Sequence, residues 1–580
     1  MRKTKIVCTL GPACDSEEML RQMIWSGMDV ARFNFSHGTH PEQKERYDRF
    51  VRVREELGIP VAAMLDTKGP EIRLGKFSGG RAELKRGSRF VLKAEPCEGD
   101  EHQASITYAG LYRDIAPGGT ILLDDGLIEL SVEEISGSDI VCRVINGGKI
   151  SDRKGVNIPN ARFSMPYLSQ KDIEDIDFAI DNGFDLIAAS FVRSAQDVLL
   201  VRRQLERRGS DIEIIAKIEN EEGVQNIDEI LAVSDGIMVA RGDMGVEIHF
   251  ERLPAIQKMM IKKAIAQGKN VITATQMLES MIHNPRPTRA EASDVANAVY
   301  DGTGAVMLSG ETAAGQYPVE AVRTMNSIAQ AVENDINYSG RMRSRTGAAV
   351  PNVTNAISFA TCQTADELHA AAIVTVSKSG RTARMISKFR PSVPILCCTC
   401  DERVRRRLNL VWGVHPVVIP EVDSTDGLFD LSVQAAIAEN MASDGDMVVL
   451  TAGVPLGVSG TSNLLKVEVI GNLLVSGTGL TGRTVSGSVV VCRNEDEVLQ
   501  LCGAGDIIVA PYTTNAMIPA LKKAAGLIVE QGGMDSHSAT LALALDLPAV
   551  INATHAMQML KSGMPVTLDA ARGTVCAVKK

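Results

Sequence analysis

Short apolar runs recur through the first 310 residues, most of them followed by longer stretches in which apolar positions return every three or four residues. The short runs predict strands buried on both faces, and the longer stretches predict amphipathic helices. Strands are expected at 5–10, 30–35, 61–66, 186–191, 214–218, 236–240, 271–274 and 305–308, with helices between most of them, as at 16–25, 43–57, 170–181 and 253–267. Eight strands in this alternation predict an α/β fold of the (β/α)8 TIM-barrel type.

One gap is too long for a βα connection. Residues 70–167 are rich in β-formers and glycine without a long helical stretch, which predicts an all-β domain inserted into a barrel formed by 1–69 and 168–340. The basic run Arg341-Met-Arg-Ser-Arg345 marks a boundary. A second α/β pattern then fills 341–472, with strands expected at 372–376, 394–398, 414–418, 447–450 and 465–470. The glycine-rich Ser476-Gly-Thr-Gly-Leu-Thr-Gly482 opens a last domain, 473–580. Its GxGxxG spacing precedes a β-like stretch at 484–491 and not a helix, so it reads as a turn and not a dinucleotide loop. There is no Walker A loop.

A chain of 580 residues exceeds one hydrophobic core, as this division requires. The net charge of −10 argues against nucleic acid or an anionic membrane as the main partner. Eleven cysteines without paired spacing read as reduced thiols, and Cys397, Cys398 and Cys400 read as part of a buried strand. With no apolar leader and no membrane-length apolar run, a cytoplasmic protein is expected.

Polar residues gather just past the strands, where barrels of this kind build active sites. After the second come Arg32, Asn34 and Ser36, alternating with Phe33 and Phe35. After the third come Asp66-Thr-Lys-Gly-Pro-Glu-Ile-Arg73, and after the fifth Lys217 and Glu219, which share a face. Asp243 follows the sixth beside Gly242, where backbone N–H groups can approach an anion; Thr275 follows the seventh and Glu311 the eighth. A lysine and carboxylates at one rim suit a phosphoryl oxygen and a divalent metal.

These stretches, with Ala216-Lys-Ile-Glu-Asn220, Val239-Ala-Arg-Gly-Asp-Met-Gly245, Ala274-Thr-Gln-Met-Leu-Glu-Ser280, Arg286-Pro-Thr-Arg-Ala-Glu291 and Leu308-Ser-Gly-Glu-Thr312, resemble the pyruvate kinase family in that family's order. The resemblance covers about residues 1–470. It implies phosphoryl transfer from phosphoenolpyruvate to ADP, with Arg32, Lys217 and Thr275 catalytic and Gly242 and Asp243 also binding substrate. It implies Mg²⁺ on Glu219 and Asp243, K⁺ on Asn34, Ser36, Asp66 and Thr67, and nucleotide contacts from Asn34, His37, Arg73 and Lys154. Glu71 stands where K⁺-dependent members carry glutamate. Phe33 and Met244 replace a commoner methionine and leucine. A homotetramer is implied.

Ser377-Lys-Ser-Gly-Arg-Thr382 resembles the family's effector-phosphate loop, with Ser377, Lys378, Ser379, Arg381 and Thr382 as its ligands. The later loop Gly453-Val-Pro-Leu-Gly-Val-Ser-Gly460 lacks the tryptophan and arginine of members that bind fructose 1,6-bisphosphate, which implies a sugar monophosphate or AMP. The last domain, around Gly532-Gly-Met-Asp-Ser-His537, is similar to the swivelling phosphohistidine domain of phosphoenolpyruvate synthases and dikinases, with Asp535 where those carry threonine. Two rival readings stand: a synthase or dikinase acting through His537, and a phosphosugar sensor without catalysis.

Overall fold

The computed structural model describes residues 1–578 other than 160, 162, 345–351, 423, 454–461 and 472. Two compact units form, one from Met1–Asn355 with Ser377–Ser392 and Thr399–Val418, the other from Ala356–Val376, Val393–Cys398 and Ile419–Lys580.

In the first unit eight strands close a barrel: β1 (Lys5–Thr9), β2 (Val30–Asn34), β3 (Ala62–Asp66), β4 (Leu186–Ala189), β5 (Glu213–Ile218), β6 (Gly236–Ala240), β7 (Asn270–Ala274) and β8 (Ala305–Leu308). Each pairs in parallel with its neighbours in chain order, and β1 closes on β8. The eight expected strands and four named helices all form, the helices as Glu17–Ser26, His40–Leu57, Gln170–Asn182 and Leu253–Ala266. After β6 the chain does not continue as a loop; it turns at once into the short helix Arg241–Glu247.

Period two divides each strand between two cores. Val7, Val30, Met64, Ala188, Ile215, Met238 and Ile272 fill the barrel interior. Ile6, Phe33, Leu65, Ile187, Ile214 and Ile237 pack outward against the helices. Phe33 and Phe35 belong to that outer layer, with ring contacts to Phe184 at centroid distances of 5.3 and 6.3 Å. Counting on by two from the inward residues gives Arg32, Asp66, Ser190, Lys217 and Ala274 on the inward face, so the strand pattern alone aims the polar groups at the barrel mouth.

Between β3 and β4 the chain builds a six-stranded sheet and a separate two-stranded one, around an apolar core that includes Phe90, Leu92, Leu123, Leu130 and Val144. Asp172 ties both ends of this insertion. Its Oδ1 accepts from Gly69 N at 3.0 Å, and its Oδ2 accepts from Ser169 N at 3.0 Å and Ser169 Oγ at 2.6 Å. Gly69 has φ of 68°, and a Cβ there would stand 2.8 Å from Ser190 O, so only glycine fits.

The second unit carries Ala372–Val376 between Ile395–Thr399 and Met447–Gly453, all parallel, and Ser462–Val469 antiparallel at the outside. Arg341 and Met342 lie within the helix Tyr338–Ser344, so the basic run starts helical before the chain leaves the described residues. The last hundred residues form an eight-stranded sheet with two apolar cores. Its order begins at Leu473–Ser476 and ends at Thr478–Gly479. Among the described residues no helix is long and apolar enough to cross a membrane.

Candidate active site

Strand register sets the first neighbours. Thr9 lies beside Arg32, Asn34 beside Asp66, and Asp66 beside Ala188. Arg32 Nε donates to Asp66 Oδ2 at 2.6 Å and Arg32 Nη1 to Thr9 Oγ1 at 2.9 Å. From β5, Lys217 Nζ reaches Asp66 Oδ1 at 3.0 Å, Ser190 Oγ at 2.7 Å and Glu219 Oε1 at 3.0 Å. Ser190 Oγ is also within 3.0 Å of Asp66 Oδ1 and 2.7 Å of Thr67 O. Asp66, Lys217 and Glu219 are only 1%, 8% and 2% exposed.

Burial and charge oppose each other here. Burial works against the charged forms of Lys217 and Asp66, but their mutual attraction and the neighbouring Glu219 and Arg32 outweigh it. Lys217 is held charged above the ordinary lysine value and Asp66 ionised below the ordinary carboxyl value. For Glu219 burial wins: the carboxyl is pushed up to about 7, although Lys217 pulls it down, with Asp243 and Asp66 adding to the rise. This carboxylate is short of positive charge. An added cation beside Glu219 and Asp243 would correct that, so the donor set fits a divalent ion. Among the described residues no three His, Cys, Asp or Glu side chains form a metal cage. Two carboxylates suit Mg²⁺, which completes its shell from substrate and water.

On the far side of the mouth, Gly242 N donates to Thr275 Oγ1 at 2.7 Å, and Thr275 Oγ1 donates to Ala274 O at 2.6 Å. Thr275 and Gln276 have φ of 66° and 54°, unfavourable for a β-branched residue and rare for any but glycine. Arg241 holds this turn: Nη2 donates to Thr275 O at 2.7 Å and Gln276 O at 3.1 Å, and Nη1 to Asp294 Oδ1 at 2.8 Å. Glu311 anchors the same side by accepting from Leu278 N at 3.1 Å and Ser309 N at 2.7 Å.

The sequence-predicted residues therefore gather in parts. Arg32, Asp66, Thr67, Lys217 and Glu219 make one network, and Gly242 and Thr275 another. Asn34 Oδ1 accepts from Ser36 N at 3.0 Å, joining those two. Asn34 and His37 line a cavity of about 550 Å³ with Thr9 and Arg46. Asp243 and Glu71 line a second cavity of about 320 Å³, shared by barrel and inserted domain. Arg73 and Lys154 are each tied to a carboxylate of the inserted segment, Glu71 at 2.6 Å and Asp124 at 2.8 Å. In the stretch Ser377–Thr382, Gly380 takes φ of 75° and caps the helix Arg381–Ser387, with Ser377 and Thr382 buried. Of the later loop 453–460, all but Gly453 lies outside the described residues.

Thr9, Ser190 and Arg241 were not foreseen. Thr9 and Ser190 stand just past the apolar runs of the first and fourth strands, where the rule that found Asp66 and Lys217 would have found them. Arg241 stands directly past the sixth strand, so the same rule marks its position, but its role as a clamp on the Thr275–Gln276 backbone leaves no signal in sequence.

A parallel barrel with a lysine–arginine–carboxylate network at its C-terminal mouth, beside an inserted β domain, defines a barrel enzyme for anionic substrates. The chain belongs to the pyruvate kinase family, and is a transferase of that family. Residues 1–322 match the family described as pyruvate kinase, barrel domain; 355–468 match pyruvate kinase, alpha/beta domain; and 503–573 match PEP-utilising enzyme, mobile domain. The pyruvate kinase of Geobacillus stearothermophilus is 49% identical over 577 residues, covering 99% of this chain and 98% of its own. That of Staphylococcus aureus is 46% identical over 577 residues, covering 99% of each. A solved pyruvate kinase from Cryptosporidium parvum is similar with a TM-score of 0.77 at 40% identity, covering 81% of this chain and 96% of its own.

Proposed function

We propose that this chain transfers the phosphoryl group of phosphoenolpyruvate to ADP, giving pyruvate and ATP, and that it works as a cytoplasmic homotetramer. The observation that carries the reading is the Lys217 ammonium, kept charged between Asp66 and Glu219 at the barrel mouth. Glu219 and Asp243 would hold Mg²⁺, which would supply positive charge for the phosphoryl oxygens. K⁺ is assigned to Asn34, Ser36, Asp66 and Thr67, and the nucleotide to Asn34, His37, Arg73 and Lys154.

The chain's own part is alignment and charge stabilisation, which phosphoryl transfer chiefly needs. Arg32, steered by Asp66 and Thr9, presents its remaining donors to the substrate phosphate. Lys217 faces the group in flight while a β-phosphate oxygen of ADP forms its bond to phosphorus and the enol oxygen leaves. Thr275, whose hydroxyl both accepts and donates, relays to the enolate carbon a proton that it regains from water. The inserted domain covers the mouth and limits hydrolysis. A coupled assay of ADP-dependent pyruvate formation, run with and without K⁺, tests the reading; pyruvate released without ADP at the same rate would sink it.

The effector is assigned to Ser377, Lys378, Ser379, Arg381 and Thr382 as a sugar monophosphate or AMP. Ribose 5-phosphate or AMP should lower the apparent KM for phosphoenolpyruvate by about 5- to 150-fold, the range of a typical allosteric coupling. Arg381→Ala should remove that shift and leave unactivated kcat within about twofold. Activation by fructose 1,6-bisphosphate alone would refute the effector class.

The His537 rival is disfavoured by geometry. His537 Nδ1 is 2.9 Å from Thr513 Oγ1 and Nε2 is 3.1 Å from Asn515 Oδ1, so both ring nitrogens are engaged, and Asp535 stands two residues away. His537→Ala should leave turnover near that of the parent. Labelled phosphoenolpyruvate should leave no acid-labile label on the parent chain, and label that vanished in His537→Ala would restore the rival. The sensor reading is disfavoured by the intact Lys217–Asp66–Glu219 network.

A further inference from the structure

Phe191, the second residue past β4, takes φ of 53°, in the left-handed region that a bulky side chain rarely occupies. Such a conformation persists only where the surroundings fix it, and it clusters where function needs a group held in one place. Here the contacts meet on one peptide, the unit that joins Ser190 to Phe191. At one edge Phe191 N donates to Glu219 Oε2 at 2.6 Å. At the other edge Ser190 O accepts from the hydroxyl of Tyr167 at 2.9 Å. Ser190 is itself held in place, its N donating to Thr67 Oγ1 at 3.2 Å.

Tyr167 lies buried at the return end of the insertion, two residues before Ser169. The outgoing limb arrives at the same carbonyl, since Gly69 approaches Ser190 O too closely for any Cβ. Both limbs of the insertion thus end against one oxygen, whose peptide serves Glu219 from its opposite edge. A trans peptide is a rigid plane with C=O and N–H pointing in opposite directions. Fixing the oxygen therefore aims the N–H, and a hydrogen bond accepted by the oxygen strengthens the donor across the plane. Lys217 Nζ is 3.0 Å from Glu219 Oε1, so ammonium and amide each take one oxygen and together set the plane of the carboxylate.

We propose, resting on the assignment of Mg²⁺ to Glu219 and Asp243, that Tyr167 is a positioning residue for the divalent metal. Its hydroxyl orients the Glu219 carboxylate through the Ser190–Phe191 peptide. Groups that hold a metal ligand from behind are worth about 10- to 100-fold in metal affinity. Tyr167 acts through one further peptide, which puts its share at the low end of that range. The inserted segment thereby bears on a metal ligand from its own return limb, apart from any covering of the mouth.

The test measures Mn²⁺ binding to the full chain without substrates, read from the free-ion signal in electron paramagnetic resonance. Glu219→Gln should weaken binding by about tenfold or more; parental affinity in that variant would remove the metal assignment, and the role of Tyr167 with it. Tyr167→Phe keeps the ring and deletes only the hydroxyl, and should weaken Mn²⁺ by about tenfold. The Mg²⁺ concentration that half-activates turnover should rise by a like factor, with a smaller fall in kcat at saturating Mg²⁺. On the Glu219→Gln background Tyr167→Phe should cost nothing more, because the hydroxyl then has no carboxylate to orient. Parental Mn²⁺ affinity in Tyr167→Phe, beside a weakened Glu219→Gln, would overturn the proposal and leave the metal assignment standing. A loss repeated in full on the Glu219→Gln background would overturn it too, as the mark of a hydroxyl that serves only the fold.

Discussion

Lys217→Met is expected to lower kcat by about a thousandfold or more while phosphoenolpyruvate affinity changes by less than about tenfold. The asymmetry follows from where the charge matters. On the proposed assignment the substrate phosphate would also meet Arg32 in the ground state, whereas in flight its negative charge would shift toward the ammonium of Lys217. A thousandfold loss corresponds to about 4 kcal/mol of transition-state stabilisation, within reach of one desolvated charge. Methionine keeps most of the volume but leaves Asp66 without the ammonium at 3.0 Å. Removing one partner of a buried ion network costs about 3–5 kcal/mol of stability, so the variant should also melt lower. The split between kcat and KM separates catalysis from damage to the fold. A variant keeping more than about a tenth of parental kcat, a loss under about 1.4 kcal/mol, would show that Lys217 does not serve the transferring group.

The second large effect is on the monovalent cation. Replacing K⁺ with tetramethylammonium, too bulky for an oxygen cage, should reduce activity by about tenfold or more. The mouth sets two cations, Arg32 and Lys217, against three carboxylates, Asp66, Glu219 and Asp243, and the substrates bring further negative charge. Asp66 already shares its oxygens among Arg32, Lys217 and Ser190, so a K⁺ cage there would have to draw on neutral oxygens beside it. The register that sets Asn34 against Asp66 supplies one of them. Glu71→Lys should recover part of the activity lost without K⁺, since an ammonium supplies charge at a fixed place. It must first give up the pairing of Glu71 with Arg73. Equal rates in K⁺ and tetramethylammonium would remove the K⁺ assignment.

Much of this arrangement was legible because strand period and strand end carry most of the information. Val30-Ala-Arg-Phe-Asn34 announces both its strand and which side chains face the mouth, and Ile215-Ala-Lys-Ile-Glu219 does the same. Less legible was anything made by backbone or by partners distant in sequence. Thr275 and Gln276 at positive φ, with Arg241 as their clamp, depend on a turn whose residues look ordinary. The short helix Arg241–Glu247 has no sequence signal of its own, since its two glycines at 242 and 245 argue against helix. Asp172, which joins both ends of the insertion, reads in sequence only as part of a capping box after Ser169.

The two ends of the C-terminal sheet, Leu473–Ser476 and Thr478–Gly479, are separated in the chain by Gly477 alone. An eight-stranded sheet whose first and last strands are one residue apart has to curl until its margins meet, so the chain's entry segment is also its seam. A side chain at Gly477 would stand 2.4 Å from Ile551 O, which leaves that seam no slack. The domain can therefore be lifted out or grafted elsewhere only with residues 473–479 attached. Starting it at the visible break near Gly482 would strip Thr574–Ala577 and Ala549–Ile551 of their outer partners at once. It would leave two raw strand edges of the kind that recruit neighbouring chains and aggregate.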